Sequence, residues 1–359
     1  MAVYDIIIWI MAAFAALGAI DRILGNHLGL GTHFEEGILA MGSLAMAMLG
    51  IIAIAPVLSS LLKPVVVPVF ELLGADPAMF AGTILACDMG GGALALEMTA
   101  DPNAAGLGGV ITGSMLGATI VFTIPLALGL LAHEDRTALA KGILCGIVTI
   151  PVGILVGGLV AGYPIGMVLR NLIPIVLIAA LIVFGLWASE KRMIQGFTVF
   201  GKIVTILITA ALAIAIVQEL TGFTFLSGMA PLSQGFETVG DIAIILAGAF
   251  PLVALITRLL QKPLLKLGKL LHINDTAAAG LIATMANSIA TFGMIKDMDR
   301  RGKVINIAFA VSAAFVFGDH LGFTAGFAPQ LLPAVILGKL AGGISAVAVA
   351  LLLTRKYED

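Results

Sequence analysis

Hydrophobic and polar positions alternate here on the scale of a bilayer crossing, not of a helix turn. Apolar runs of about 20 residues or more, enough to cross hydrocarbon as a helix, fall at 3–24, 36–61, 107–131, 137–161, 165–188, 197–219, 239–258, 303–325 and 331–353. Two further segments, 76–100 and 274–298, are apolar but interrupted. The first breaks at Gly90-Gly91-Gly92 after Asp88, the second around Asn287-Ser288. The pattern predicts an all-α polytopic membrane protein of about nine to eleven hydrophobic helices, a single transmembrane domain over 1–359. The first run lacks a basic n-region and a small-residue cleavage site, so it reads as a span and not as a removed signal peptide.

Laid over itself at an offset near 199, the chain shows an internal repeat. Lys63-Pro64 falls on Lys262-Pro263, Asp76 on Asp275 and Asp88 on Asn287. Upstream, Phe34-Glu35 matches Phe236-Glu237, and downstream Gly153, Gly157 and Gly158 match Gly338, Gly342 and Gly343. Repeat one covers about 1–161, a linker helix 165–188, and repeat two about 197–353. Lysine and arginine placement sets the topology. If both broken segments enter and leave on one side and the C-terminus is inside, only Lys63, Arg170 and Lys339 lie outside, and 16 of the 19 basic residues lie inside. If both segments cross, the split is 8 to 11. The positive-inside rule selects re-entry of the second segment; crossing by 76–100 alone exchanges Arg22 for Lys63 and leaves 16 to 3, so re-entry of the first rests on the repeat. With both segments re-entrant, an odd number of spans separates the repeats and the second is inverted. Inverted repeats with discontinuous helices at the centre are a secondary-transporter design.

Composition agrees. Only 11% of residues are charged and 60% are hydrophobic, against roughly 25% charged in a soluble domain. The net charge of -2 offers no basic patch for nucleic acid. Glycine is abundant, at 43 residues, which suits close helix packing within a subunit and between copies in a homo-oligomer alike. Cys87 and Cys145 lie in apolar runs and form no metal spacing. No phosphate loop, zinc motif or nucleophile–base–acid arrangement occurs, and no cofactor or metal is expected. Asp88 and Asp319 lack the Tyr-Asp and Gly-Leu-Gly-Asp contexts of aspartyl intramembrane proteases.

A charge deep in the bilayer costs at least about 2.5–3.5 kcal/mol on insertion scales, which makes each one a functional candidate. Asp88 sits at the turn of the first hairpin, in Ala86-Cys87-Asp88-Met89-Gly90-Gly91. Half-helix carbonyls and the negative end of the dipole favour a cation there, and the carboxylate adds a full charge. Met89, Gly90 and Gly91 belong to the same candidate site. Asn287 and Ser288, on the facing tip, offer an amide and a hydroxyl to a polar end of a solute. Asp319 and His320, in Gly318-Asp319-His320-Leu321-Gly322 within the expected span 303–325, suit a cation, a coupling proton or a substrate hydroxyl. For these residues the structural alternatives are helix capping and an Asp–His pair between helices. Glu97 and Glu36 are candidates for a vestibule or coupling role. Lys339 is read as a snorkelling residue near the outer face.

On these motifs the sequence resembles the ethanolamine-utilisation membrane protein family, EutH type, over nearly its whole length. The matching stretches are Phe34-Glu35-Glu36-Gly37, Met79-Phe80-Ala81-Gly82-Thr83, Ala86-Cys87-Asp88-Met89-Gly90-Gly91 and Gly146-Ile147-Val148-Thr149-Ile150-Pro151. The most specific is Arg301-Gly302-Lys303-Val304-Ile305-Asn306, continuing through Ala308–Phe315 to Gly318-Asp319-His320-Leu321-Gly322-Phe323. The resemblance implies an ethanolamine permease of the bacterial inner membrane, feeding an ethanolamine ammonia-lyase pathway. It assigns no site residues. Ethanolamine is a small ammonium with a hydroxyl two carbons away. Asp88 is expected to hold the ammonium, and Asn287, Ser288 or His320 the hydroxyl. Transport of another small amine or polar solute, or a pore or docking role without alternating access, are the competing readings. Energy coupling by proton, by sodium or by neither is equally open on the residues alone.

Overall fold

A computed structural model describes residues 3–357 and is helical throughout, with no strand among the described residues. Among those residues eight helical stretches are long and apolar enough to cross a bilayer: Asp5–Ile23, Leu30–Leu72, Pro102–Leu130, Arg136–Val160, Ile165–Ser189, Lys191–Thr221, Leu232–Leu259 and Pro329–Leu353. In chain order the helices begin with α1 (Val3–Ile23) and α2 (Leu30–Leu72). The first broken segment forms α3 (Ala78–Ile84) and α4 (Gly91–Met98). The next span opens with α5 (Pro102–Ala105), widens into π-helix over Gly106–Gly117 and Thr119–Thr123, and closes with α6 (Ile124–Leu130). α7 (Arg136–Ile147) and α8 (Ile150–Val160) make one span. α9 (Ile165–Thr221) is two spans joined at a kink, where Ser189 is non-helical. α10 (Leu232–Leu271) follows. The second broken segment forms α11 (Asp275–Ala286) and α12 (Ser288–Met294). The chain ends with α13 (Arg300–Ala313), α14 (Asp319–Phe327) and α15 (Leu332–Leu353).

Both interrupted segments are hairpins. α3 and α4 have seven and eight residues, about 10–12 Å each, too short to cross alone. Their outer ends meet, because the Thr99 hydroxyl donates to Asp76 Oδ2 at 2.9 Å. Asp76 also accepts the Ala78 N–H at the start of α3. At the second hairpin the Asn274 N–H donates to Asp299 Oδ1 at 2.8 Å and its side-chain amide to the Asp297 carbonyl at 2.9 Å. Thr291 donates to the Gly280 carbonyl at 3.0 Å and accepts from Thr284 at 2.8 Å. Eleven residues of straight helix would span about 16 Å, so these bonds fold α12 back along α11. Each segment therefore enters and leaves at one end, as the charge pattern expects of the second and the internal repeat of the first.

The expected span 303–325 departs from expectation. It is not one helix: α13 stops at Ala313, residues 314–318 are non-helical, and α14 restarts at Asp319. Phe315 adopts φ +61° there. Backbone exposed by such a break must find partners inside protein. The Phe315 and Phe317 N–H groups donate to the Thr284 and Met285 carbonyls at 3.1 and 2.9 Å, at the end of α11. Two broken helices thus satisfy each other.

The first hairpin packs against the π-helical stretch almost without side chains between. A Cβ on Gly82 would fall on the Gly108 carbonyl, one on Gly108 on the Ala78 backbone, and one on Gly117 on the Leu85 carbonyl. This close approach draws the tip at Asp88 into the protein interior. Prolines inside α2 (Pro56, Pro64, Pro68) and α10 (Pro251, Pro263) sit within otherwise continuous helices, where each removes one backbone donor.

Candidate functional site

Helix ends converge where the tip of the first hairpin meets the break between α13 and α14. After α3 the chain turns through Leu85-Ala86, makes one 3-10 turn over Cys87–Met89, and starts α4 from Gly90. Gly90 has φ +98° and lies against the Ile51 side chain, so a side chain there is excluded by conformation and by space. The Met89 and Gly91 N–H groups both return to the Ala86 carbonyl. This turn aims Asp88 into a cavity of about 190 Å³. Its walls are Ser43, Leu44 and Ala47 of α2, Met89, Ala118, Phe122, Phe315, Asp319 and His320. The rings of Phe122 and Phe315 meet edge to face at 5.5 Å.

A polar chain runs inward from the cavity. Asp88 Oδ1 lies 3.7 Å from His320 Nε2, too long for a hydrogen bond, and has no hydrogen-bond partner. His320 Nδ1 is 3.1 Å from Lys339 Nζ, and Lys339 also donates to the Ser114 carbonyl in the π-helical stretch. With Lys339 protonated, and so only a donor, Nδ1 accepts from it and Nε2 carries the proton that faces Asp88. Lys339 is completely buried, which corrects the expectation of a snorkelling residue near the outer face. Gly338 and Gly342 beside it pack on Gly153 and Gly157 of α8, and this backbone contact presses the helix turn inward. Asp319 stands in the first turn of α14, where the positive helix end favours its carboxylate.

The chain matches the family model described as "Ethanolamine utilisation protein, EutH" over residues 3–353. It belongs to that family. A relative named "Probable ethanolamine permease EutH" in Listeria monocytogenes is 58% identical, over 99% of this chain and 95% of its own. The protein of the same name in Salmonella typhimurium is 46% identical over 99% and 97%. The "Uncharacterized protein YxeR" of Bacillus subtilis is 51% identical over 99% and 96%. No solved structure matches the chain.

In this EutH-family fold, Asp88, Met89, Asp319 and His320 meet in one cavity. Asn287 does not face Asp88. It is exposed, its Oδ1 accepts the Ile289 N–H at 2.8 Å, and it lines a second cavity of about 430 Å³ with His33, Glu36, Arg258 and Asp319. Asp319 lines both cavities and stands between them. Ser288 is fully buried and its hydroxyl lacks a partner. Gly90 and Gly91 shape the turn and do not line the cavity. Glu97 is exposed and lines neither cavity. Sequence reasoning missed Phe122, Phe315, the Ser114 carbonyl and Lys339. A signal for Lys339 was present: an isolated charge in the apolar run Leu332–Leu353.

Cys87 Sγ, an Asp88 oxygen and a His320 nitrogen lie within 4.8 Å of one another. These donors suit a soft divalent ion, but the Lys339 ammonium touches the same imidazole and its charge opposes a doubly charged guest.

Proposed function

We propose that this chain carries ethanolamine across the bacterial inner membrane, with Asp88 holding the ammonium. The observation that carries the reading is the Asp88 carboxylate, whose Oδ1 is without a hydrogen-bond partner at a half-open cavity. With both carboxylates ionised, Lys339 protonated and His320 neutral, the group holds one surplus negative charge. A single ammonium cancels it, and such pairing is what allows a charge to leave water. The aromatic wall of Phe122 and Phe315 suits the short carbon chain, and the relatives' names supply the substrate class.

The two repeats are read as inverted, the first hairpin entering from outside and the second from the cytoplasm, with the N-terminus outside and the C-terminus cytoplasmic. The cavity containing Glu36, Arg258, Asn287 and Asp319 is then the cytoplasmic vestibule, and Asp319 passes the ammonium from Asp88 toward it. Alternating access follows from rocking of one repeat against the other about this site.

Uptake of labelled ethanolamine into proteoliposomes at acidic pH, where little neutral amine leaks, tests the proposal. Saturable, counterflow-competent uptake by the native protein, lost in a correctly inserted Asp88→Asn variant, is expected. Normal uptake by that variant overturns the assignment of Asp88.

A further inference from the structure

Lys339 does not line the cavity that Asp88 enters, yet it is among the largest fully buried side chains. It lies seven residues into α15 from Leu332, about 10 Å from the helix start, beyond the reach of a snorkelling ammonium. A lysine kept only for packing is expected to pair directly with a carboxylate. Lys339 Nζ instead bonds two neutral acceptors, the Ser114 carbonyl and His320 Nδ1. No carboxylate within hydrogen-bond distance cancels its charge, which acts through the imidazole on the cavity that Asp88 and Asp319 line.

We infer that Lys339 determines specificity by charge: it holds the surplus at one negative charge, so that the site admits small monoammonium solutes and rejects diammonium ones. The inference rests on the reading that Asp88 holds the ammonium. Without Lys339 two carboxylates face one cavity with no fixed cation, and a diammonium guest becomes the better match. Charges a few ångströms apart in a medium less polar than water interact strongly enough to decide this.

The test is competition against labelled ethanolamine at pH 6 by two guests of equal length, butylamine and 1,3-diaminopropane. In the native protein the diamine is expected to compete about tenfold more weakly, and in Lys339→Met the gap is expected to close or reverse. Lys339→Arg, which restores the charge, is expected to recover the native ranking. A purely structural role lowers uptake without changing the ranking. Ligand-induced thermal stabilisation of purified protein gives the same ranking for a variant that folds but does not transport. A native protein that accepts both amines equally overturns the inference without any variant, as does an unchanged gap in Lys339→Met. Failure of the native protein either to take up or to be stabilised by ethanolamine sinks the underlying reading instead.

Discussion

Asp88 and Asp319 are both carboxylates at one cavity, but their settings separate their roles. Asp88 is held on a hairpin tip whose backbone is closed on itself through the Ala86 carbonyl, and its Oδ1, without a hydrogen-bond partner, is left for a guest. Asp319 sits at the first turn of α14 and lines both cavities. Asp319→Asn is therefore expected to keep saturable uptake while raising the half-saturation concentration about tenfold, which is about 1.4 kcal/mol of ammonium attraction. Initial-rate kinetics in proteoliposomes check this, and complete loss of uptake would instead give Asp319 the primary contact. Asp88 was legible in the sequence because a lone acid beside three glycines in an apolar segment has few structural uses. Asp21 and Arg22 are adjacent in the chain but take different partners. Asp21 accepts the N–H groups of Leu28, Leu30 and Gly31, and Arg22 reaches Glu35 at 3.2 Å. A buried carboxylate finds several backbone donors at the start of α2 and is better satisfied there than by a neighbouring side chain.

At the scale of elements, glycine contact and threonine bonding hold the hairpins. A methyl group at Gly82 meets the Gly108 carbonyl, so Gly82→Ala must push two backbones apart. A cost of about 1–3 kcal/mol is expected, measured as a fall in the unfolding temperature of the detergent-purified protein. Gly196, inside α9 with nothing within 4 Å of an added Cβ, is the control. Gly196→Ala is expected to be stabilising by about 0.5–1 kcal/mol. In the second hairpin, Thr291→Val removes the bonds to Gly280 and Thr284. It should cost about 1 kcal/mol or more, since the buried Gly280 carbonyl loses that donor. The interruptions at Asp88 and Asn287 were visible as polar residues in apolar runs. The break at 314–318 was not, because Ala314-Phe315-Val316-Phe317 is as apolar as any helix interior. It exists because the open carbonyls ending α11 offer its N–H groups partners.

For the whole molecule, the meeting of hairpin ends makes a labelling pattern. Single cysteines at Pro77 and Ala100 should react from the same side of the membrane, since the bond between Asp76 and Thr99 joins those ends. Cysteines at Lys63 and Lys356 should react from opposite sides if the proposed topology holds. Both native cysteines are buried, which keeps the background low. Labelling of Pro77 and Ala100 from opposite sides would mean that the first segment crosses, and the inverted arrangement would fail.

The sequence by itself determined that this is a membrane-spanning bundle, where most of its spans run, and that Asp88, Asp319 and His320 are out of place in lipid. These follow from local free energies: apolar length must match bilayer thickness, and each charge in hydrocarbon needs a reason. Only the tertiary structure decided which of those charges meet. It carried Lys339 inward to His320, moved Asn287 from the facing tip to a second cavity, and broke the helix between α13 and α14. Such choices depend on which backbones can touch and which unsatisfied carbonyls find donors, and partners far apart in the chain settle both.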